Sequence, residues 1–426
     1  MNTRMTPAIA ICAAMCMAPL SQALAGIKVA AGDWTIDFSG NVNAFYVQTE
    51  CDDGLNTAVV GGLACTGDHS ASLRNGLLPA ALVFSATTRE DNYDIDVTVG
   101  FYPGINSTAA QGVNGAGQPE ALQTPGIDAR QIYFTFGDSS WGTVKMGRDI
   151  GLFAKDAILD DMTLLGVGTA VGNAAPGNTS LGRIGLGYIY TDWEPQVTYT
   201  TPTYKGFSAS VGVFQPLDAP GGLDATTPTA WGTGSYNSHD TPQIQLGGSF
   251  AWGDPKTDKV TGKVWLDVVT QQAKASQSDI AANAPGASTS ITGTAVDAGV
   301  KVDAGGFEGV LYGYSGKGVG TTGLYILASS LEGQKRDSDG GYAQATYKIN
   351  KLKIGLSWGL SELKLADGEV ETQNLVKHNE SAVVGVYYAL TKHINLVGEF
   401  INTKSEAWNG NSATEKDFAA GGIIFF

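Results

Sequence analysis

The run Tyr93-Asp94-Ile95-Asp96-Val97-Thr98-Val99-Gly100-Phe101 alternates residue by residue, with Tyr93, Ile95, Val97, Val99 and Phe101 in one set and Asp94, Asp96, Thr98 and Gly100 in the other. A period of two places the sets on opposite faces of an extended strand, because successive side chains of a pleated backbone point opposite ways. The pattern recurs: Leu352, Ile354, Leu356 and Trp358 stand against Lys351, Lys353, Gly355 and Ser357. It returns with Ile244, Leu246, Gly248 and Phe250 against Gln243, Gln245, Gly247 and Ser249, and with Val296, Ala298, Val300 and Val302 against Asp297, Gly299 and Lys301. Each strand has one apolar and one polar face, and a chain made of them is all-β.

Composition agrees. Of 426 residues 57 are glycine, and only 26 are basic and 41 acidic; this excludes a disordered chain and a helical bundle. The formal charge of −15, with no basic stripe, argues against a nucleic-acid partner, which needs clustered Lys and Arg facing phosphate. The acidity reads as solvated surface.

The first 25 residues differ from the rest. Arg4 supplies a positive start, Ala8 to Leu20 is an apolar run, and Ala23-Leu24-Ala25 is a small-x-small cleavage site, so residues 1–25 read as an export signal and 26–426 as the mature domain. Pro7 and Pro19 bracket a run too short to span a bilayer. Ile11 before Cys12 and Met15 before Cys16 do not fit a lipoprotein site. Cys51 and Cys65 remain after export, an even pair that outside the cytoplasm reads as a disulfide. The metal alternative falls short, since two cysteines and His69 do not close a tetrahedral site.

Alternation alone fits a soluble sandwich as well as a membrane barrel. Three features favour the barrel: strands of about ten residues, aromatic residues near strand ends (Trp34, Tyr46, Tyr93, Phe101, Trp141, Trp252, Tyr388), and connections that alternate short with long. Short links fall at Glu90-Asp91, 137–140, Tyr204-Lys205, 253–258, Asp303-Ala304, Asn350 and Thr391. Long polar ones fall near 49–76, 103–127, 150–183, 215–241, 273–292, 315–337, 364–379 and 405–414. Seven short and eight long links join sixteen antiparallel strands of a closed transmembrane barrel, with both chain ends on the short-turn side. Eighteen is the alternative, if Leu324 to Leu331 and part of Gly182 to Thr191 are also membrane strands.

At the end, Phe418, Ala420, Gly422, Ile424 and Phe426 share one face, and the chain finishes on phenylalanine. This is similar to the terminal signature that barrel-assembly machinery reads. Further runs carry a resemblance to a family: Trp141-Gly142-Thr143-Val144-Lys145-Met146-Gly147-Arg148, Lys155-Asp156-Ala157 through Asp161-Met162, Thr200-Thr201-Pro202 with Gly206-Phe207, Gly341 to Lys348, and Tyr388-Ala389-Leu390-Thr391-Lys392. In this order, behind an export signal, the chain resembles the general diffusion porins of Gram-negative bacteria over essentially its whole mature length.

The resemblance implies an outer-membrane homotrimer contacting lipid and lipopolysaccharide, each barrel enclosing a water-filled lumen narrowed by an inward-folded third outer loop. In such porins basic wall residues face loop carboxylates and set up a field that orders water and orients dipolar solutes. Here that loop would run from after Arg148 to about Arg183, carrying Asp149, Asp156, Asp160 and Asp161, with Arg89, Arg130, Lys145, Arg148 and Arg183 as the basic side. Thr163 to Asn178 departs from the family in being nearly uncharged, which implies a weaker field. That confines the loop's negative face to Asp156, Asp160 and Asp161, which read equally as solvated or helix-capping acids.

Arg89 shares its face with Ser85 and Thr87 and points inward. Arg148 shares parity with Val144 and Met146 and would face lipid unless a bulge at Gly147 shifts the register or it sits at the rim; Arg130 raises the same question beside Ile132 and Phe134. Lys145, Lys263, Lys301, Lys348 and Lys353 point inward by alternation, as do Asp94, Asp96, Asp267, Asp297 and Glu399. This near-balance with an acidic total leans toward weak cation preference. His69, His239, His378 and His393 fall in loops or a turn with no nucleophile arrangement, and residues 104–117 lack the Lys-Ser/Thr ending of a phosphate loop, so neither catalysis nor a cofactor is expected. A dedicated anion or solute channel and a plugged adhesive barrel are the other readings; sixteen strands favour an aqueous lumen.

Overall fold

The computed structural model describes residues 26–52, 59–106, 126–218, 236–275, 288–330 and 332–426; the export signal lies outside them. A single antiparallel sheet closes on itself. Its first half comprises β2 (Trp34–Glu50), β3 (Ser70–Arg74) continued by β4 (Ala81–Glu90), β5 (Tyr93–Pro103), β6 (Ile127–Asp138), β7 (Gly142–Ile150), β8 (Trp193–Thr200), β9 (Phe207–Phe214), and β10 (Tyr236–Ser238) continued by β11 (Gln243–Trp252). The second half is β12 (Val260–Ala275), β13 (Ser290–Ala304), β14 (Phe307–Lys317), β15 (Asp337–Ile349), β16 (Leu352–Leu363), β17 (Val376–Ala389), β18 (Ile394–Ala407) and β19 (Ser412–Phe425). With β3/β4 and β10/β11 each counted as one pass, sixteen strands form the wall. The eighteen-strand alternative is overturned: Gly182–Thr191 and Leu324–Ser330 form turns and isolated bridges outside the wall.

The alternation sets which way each side chain points. On β5, Tyr93, Val97 and Phe101 are 45%, 38% and 46% exposed on the outside, while Thr98 and Tyr102 are buried on the inside. Outward apolar residues are what a lipid-facing sheet needs, and closure leaves no unpaired edge in a medium that offers no hydrogen bonds. Tight turns join strands at one end. Asp91 and Asn92 both adopt positive φ, as do Gly305 and Gly306, which suits the right-handed twist of a two-residue hairpin.

The sheet closes where β19 pairs with β2, from Lys416 opposite Glu50 to Phe425 opposite Asn41. The terminal residue completes the ladder: Phe426 N–H donates to Gly40 O at 3.0 Å and Gly40 N–H to Phe426 O at 2.9 Å. A side chain at Gly40 would collide with the Ala81 carbonyl oxygen and then with the Phe426 ring, so glycine there is a packing requirement. Phe418 projects outward from β19, 52% exposed. Below the terminus, β1 (Ile27–Ala31) covers the free edge of β2.

At the other end Cys51 and Cys65 form a disulfide, Cα–Cα 5.1 Å, closing the first long loop. Cys65 N–H donates to Glu415 (2.9 Å) and Leu63 N–H to Ser405 (2.8 Å), so this loop is tied to the inner wall of its own barrel.

Leu356 is 60% exposed on the outer face of β16. Leu356→Arg is expected to destabilise the barrel by about 2–4 kcal/mol in urea-unfolding measurements in lipid vesicles, whereas Ser85→Arg on an inner face should cost less than about 1 kcal/mol.

Candidate functional site

After β7 the chain turns into the barrel, and residues 151–192 pack inside it. The outgoing leg carries α1 (Lys155–Leu159) and a 3-10 turn, Met162–Leu165. Its backbone amides are captured one after another by wall side chains. Leu152 and Phe153 N–H donate to Gln245 Oε1 on β11 (2.6 and 2.9 Å), and Ala154 N–H donates to Asp297 Oδ2 on β13 (2.7 Å). Met162 N–H donates to Gln344 on β15 (2.7 Å). Val167 and Gly168 N–H share Glu399 Oε2 on β18 (2.8 and 2.9 Å), and Ala170 N–H reaches Asp417 on β19 (3.4 Å). Non-repetitive backbone needs such acceptors once it leaves water.

Two ion pairs add to this. Lys263 and Lys301 stand directly opposite each other on β12 and β13. Asp156 and Asp160, four residues apart, share one face of the α1 turn and meet them: Lys263–Asp156 at 2.5 Å and Lys301–Asp160 at 3.0 Å, with Glu308 also 3.1 Å from Lys301. The spacing matches because an i, i+4 pair on a helix and a cross-strand pair are both about 5 Å apart.

Apolar packing completes the attachment. Met162, Val167 and Ala170 pack on Phe45, Val47, Val383, Tyr387, Val397, Ile401 and Ala419, which are inward residues of β2, β17, β18 and β19. The return leg is fastened by Arg183, which is fully buried and donates to Leu186 O (3.3 Å) and Ser381 O (3.2 Å). Asp161 is also buried, accepting from Thr163 N–H (2.9 Å) and Tyr188 O–H (3.0 Å). Burial lifts the Asp161 carboxyl above its usual range against the pull of Arg183, and burial lowers the Arg183 guanidinium in turn. Asp160 is likewise raised by burial, opposed by Lys301.

The basic and acidic residues read from the sequence therefore separate into groups. Asp156 and Asp160 lie on the loop, paired with wall lysines. Asp161 and Arg183 are both buried on the loop, Asp161 bonded to Thr163 and Tyr188 and Arg183 reaching Ser381 O on β17, so Arg183 is not a wall residue. Asp149 belongs to β7 and accepts from Gln131 (3.1 Å) and from Lys145 on the same strand. Lys145 also lies 4.7 Å from the centre of the Tyr133 ring. A register shift between Gly100 and Tyr102 resolves Arg130: it stacks over the inward-facing Tyr102 ring (5.5 Å) and pairs with Asp128 (2.9 Å). No bulge occurs at Gly147. The ladder runs unbroken through Tyr133–Gly147 and Ile132–Arg148, so Arg148 keeps outward parity, two residues from the long-loop end of β7. Arg89 lies at the short-turn end, paired with Asp94 (2.5 Å) and Asp138 (2.9 Å), away from the loop.

Arg74 was not anticipated. It is fully buried on β3 and donates to Ala170 O (2.9 Å), Val171 O (3.3 Å) and Thr179 O (3.0 Å), joining the two legs. It stands in a stretch that reads as loop, and no local spacing marks it. The covered wall did carry a signal: Ala44-Phe45-Tyr46-Val47 and Val383-Val384 with Val386-Tyr387-Tyr388 are apolar on both faces, as strands covered on both sides are.

Glu399 holds three donors at once, since its Oε1 also accepts from Tyr387 O–H (2.7 Å). Glu399→Ala is expected to accelerate amide hydrogen exchange at Val167 and Gly168 at least about tenfold, read by mass spectrometry, because each stranded donor costs about 1–3 kcal/mol.

Comparison with known proteins agrees with this architecture. The chain superposes on the outer membrane channel DcaP of Acinetobacter baumannii with a TM-score of 0.64 at 15% identity, covering 95% of this chain and 100% of that one. It superposes on an anion-selective porin from Comamonas acidovorans with a TM-score of 0.55 (13% identity; 92% and 100% covered). For OmpF of Salmonella typhi, in a complex with daunomycin, the TM-score is 0.54 (13% identity; 94% and 100% covered). These likenesses establish the fold. No curated protein matches the chain in sequence. Residues 10–407 match the family model for Gram-negative porins, and with that match spanning nearly the whole length the chain belongs to the Gram-negative porin family.

Proposed function

We propose that the chain is exported, cleaved after Ala25, and inserted by the barrel-assembly machinery into the outer membrane as a homotrimer of the 26–426 domain. There it contacts lipid and lipopolysaccharide and serves as a water-filled diffusion channel for small hydrophilic solutes and ions, with weak cation preference. Trimeric assembly is supported by a solved trimer form of OmpT from Vibrio cholerae, whose barrel superposes on this chain with a TM-score of 0.51 at 12% identity.

One observation carries the charge reading: the ions around the inward loop are matched locally, Asp156 by Lys263, Asp160 by Lys301, and Asp149 by Lys145. A locally balanced constriction exerts little net field on a passing ion, so the preference falls to the acidic surplus of the chain, −15 in formal charge. Such a long-range bias is screened by salt, with a Debye length of about 10 Å at about 0.1 M. A dedicated small-solute channel is the second reading, favoured by the apolar packing of the loop over much of the inner wall.

The test is a planar bilayer with the purified mature chain, recording conductance steps and reversal potentials in KCl gradients. Steps in threes are expected, with a modest cation preference that shrinks as salt rises from about 0.1 M to about 1 M. Silence at every salt concentration would overturn the open-channel reading, and anion preference would overturn the charge assignment.

A further inference from the structure

On the outer face of β14, β15 and β16, near their long-loop ends, lies a groove of ≈ 330 Å³. Its position follows from register. Leu311 stands opposite Ala343 and Gly313 opposite Gly341 across β14–β15, while Ala343 faces Trp358 and Gly341 faces Leu360 across β15–β16. The small residues of β15 therefore form a floor between larger side chains, Leu311 on one side and Trp358 with Leu360 on the other. A side chain at Gly341 would collide with Tyr312 O, so that part of the floor stays bare backbone. Leu311 and Trp358 are 60% and 48% exposed, and the Trp358 indole N–H is held by Glu380 (3.0 Å). The groove is apolar and open to hydrocarbon. Left empty in a bilayer it would forfeit dispersion contacts along its lining, and a single flexible alkyl chain fills it.

The outer end of the groove is charged. Asp339 and Glu362 line it and stand directly opposite each other on β15 and β16. Asp339 is paired with the exposed Lys364 (2.8 Å), but among the described residues no cation lies within ion-pair distance of Glu362. Its other cross-strand neighbour, His378, reaches Glu406 instead (3.8 Å). Like charges in opposed register destabilise a sheet, and a cation between them removes the penalty. Four residues below Glu362, Trp358 marks the membrane interface, so these charges lie at headgroup level.

We infer that the groove seats an acyl chain of a lipid whose headgroup carries both a phosphate and a terminal ammonium. The chain lies along Leu311, Ala343, Trp358 and Leu360. The ammonium sits between Glu362 and Asp339, and the phosphate lies against Lys364. A lipid with a phosphate and no ammonium leaves the two carboxylates unrelieved. The proposal rests on the outer-membrane reading for access to lipid, but binding itself needs neither a bilayer nor a current.

The experiment is native mass spectrometry of the full mature protein in detergent, titrated with dioleoyl phosphatidylethanolamine or dioleoyl phosphatidylglycerol, which share chains and phosphate and differ at the end of the headgroup. The ethanolamine lipid is expected to bind about fivefold more tightly. Glu362→Gln should weaken the ethanolamine lipid alone, by about fivefold, and so erase the preference. Ala343→Phe, which fills the groove, should weaken both lipids at least about tenfold. Heat-modifiable gel mobility confirms that each variant is a folded barrel. Equal affinity for the two lipids, or an undiminished preference in Glu362→Gln, would overturn the headgroup assignment. Parent-like lipid binding in Ala343→Phe would overturn the groove, and a changed oligomeric state with lipid retained would give this face to a second copy of the chain. Because binding is read without a bilayer, a protein that retains the ethanolamine lipid yet passes no current refutes the channel and leaves the groove standing.

Discussion

Everything in this molecule depends on one demand of the bilayer: no backbone N–H or C=O may face hydrocarbon unpaired. A sheet meets that demand only by closing, and here closure falls to the first and last wall strands, sealed by the reciprocal bonds of Gly40 and Phe426. Once closed, the outer face must be apolar and the inner face is free to vary. The inner face is therefore where the chain's individuality lies.

On part of that inner face the polar lining expected of a pore gives way to a core. Phe45, Val383, Val397 and Ile401 point inward yet are buried, because the inward loop lies on them. The loop is held less by its own carboxylates than by acceptors on the wall, Gln245, Asp297, Gln344, Glu399 and Asp417, reaching its main chain. Backbone that has left regular structure frees both N–H and C=O groups; here the wall acceptors take the N–H groups, and Arg74 donates to the carbonyls of Ala170, Val171 and Thr179. The loop's aspartates then serve as ion-pair partners for Lys263 and Lys301 and present little bare charge to the bore.

The barrel was legible in the sequence because period-two patterning and turn chemistry are local: Tyr93 to Phe101 declares its two faces without reference to any other strand. Cys51 and Cys65 were legible by elimination. The arrangement around the loop was legible only in part. Lys263 and Lys301 point inward by alternation, but their meeting with Asp156 and Asp160 depends on register between strands and on where α1 lands, which no single segment encodes. Arg183 looked like a wall cation because it closes the loop in sequence; its burial between the loop and β17 is a tertiary fact. Arg130 turned on a bulge, and Arg148 on the absence of one.

The distance in sequence between the loop and its anchors has a kinetic meaning. Val167 is separated from Glu399 by 232 residues, and Ala170 from Asp417 by 247. Contacts of such range form late, after the entropy of a long closure has been spent. Until β18 and β19 arrive, the amides of Val167, Gly168 and Ala170 lack their acceptors, and Val397, Ile401 and Ala419 are missing from the wall on which the loop packs. The far half of the inward loop thus settles at the end of assembly, after its near half has already been fastened to β11, β12, β13 and β15.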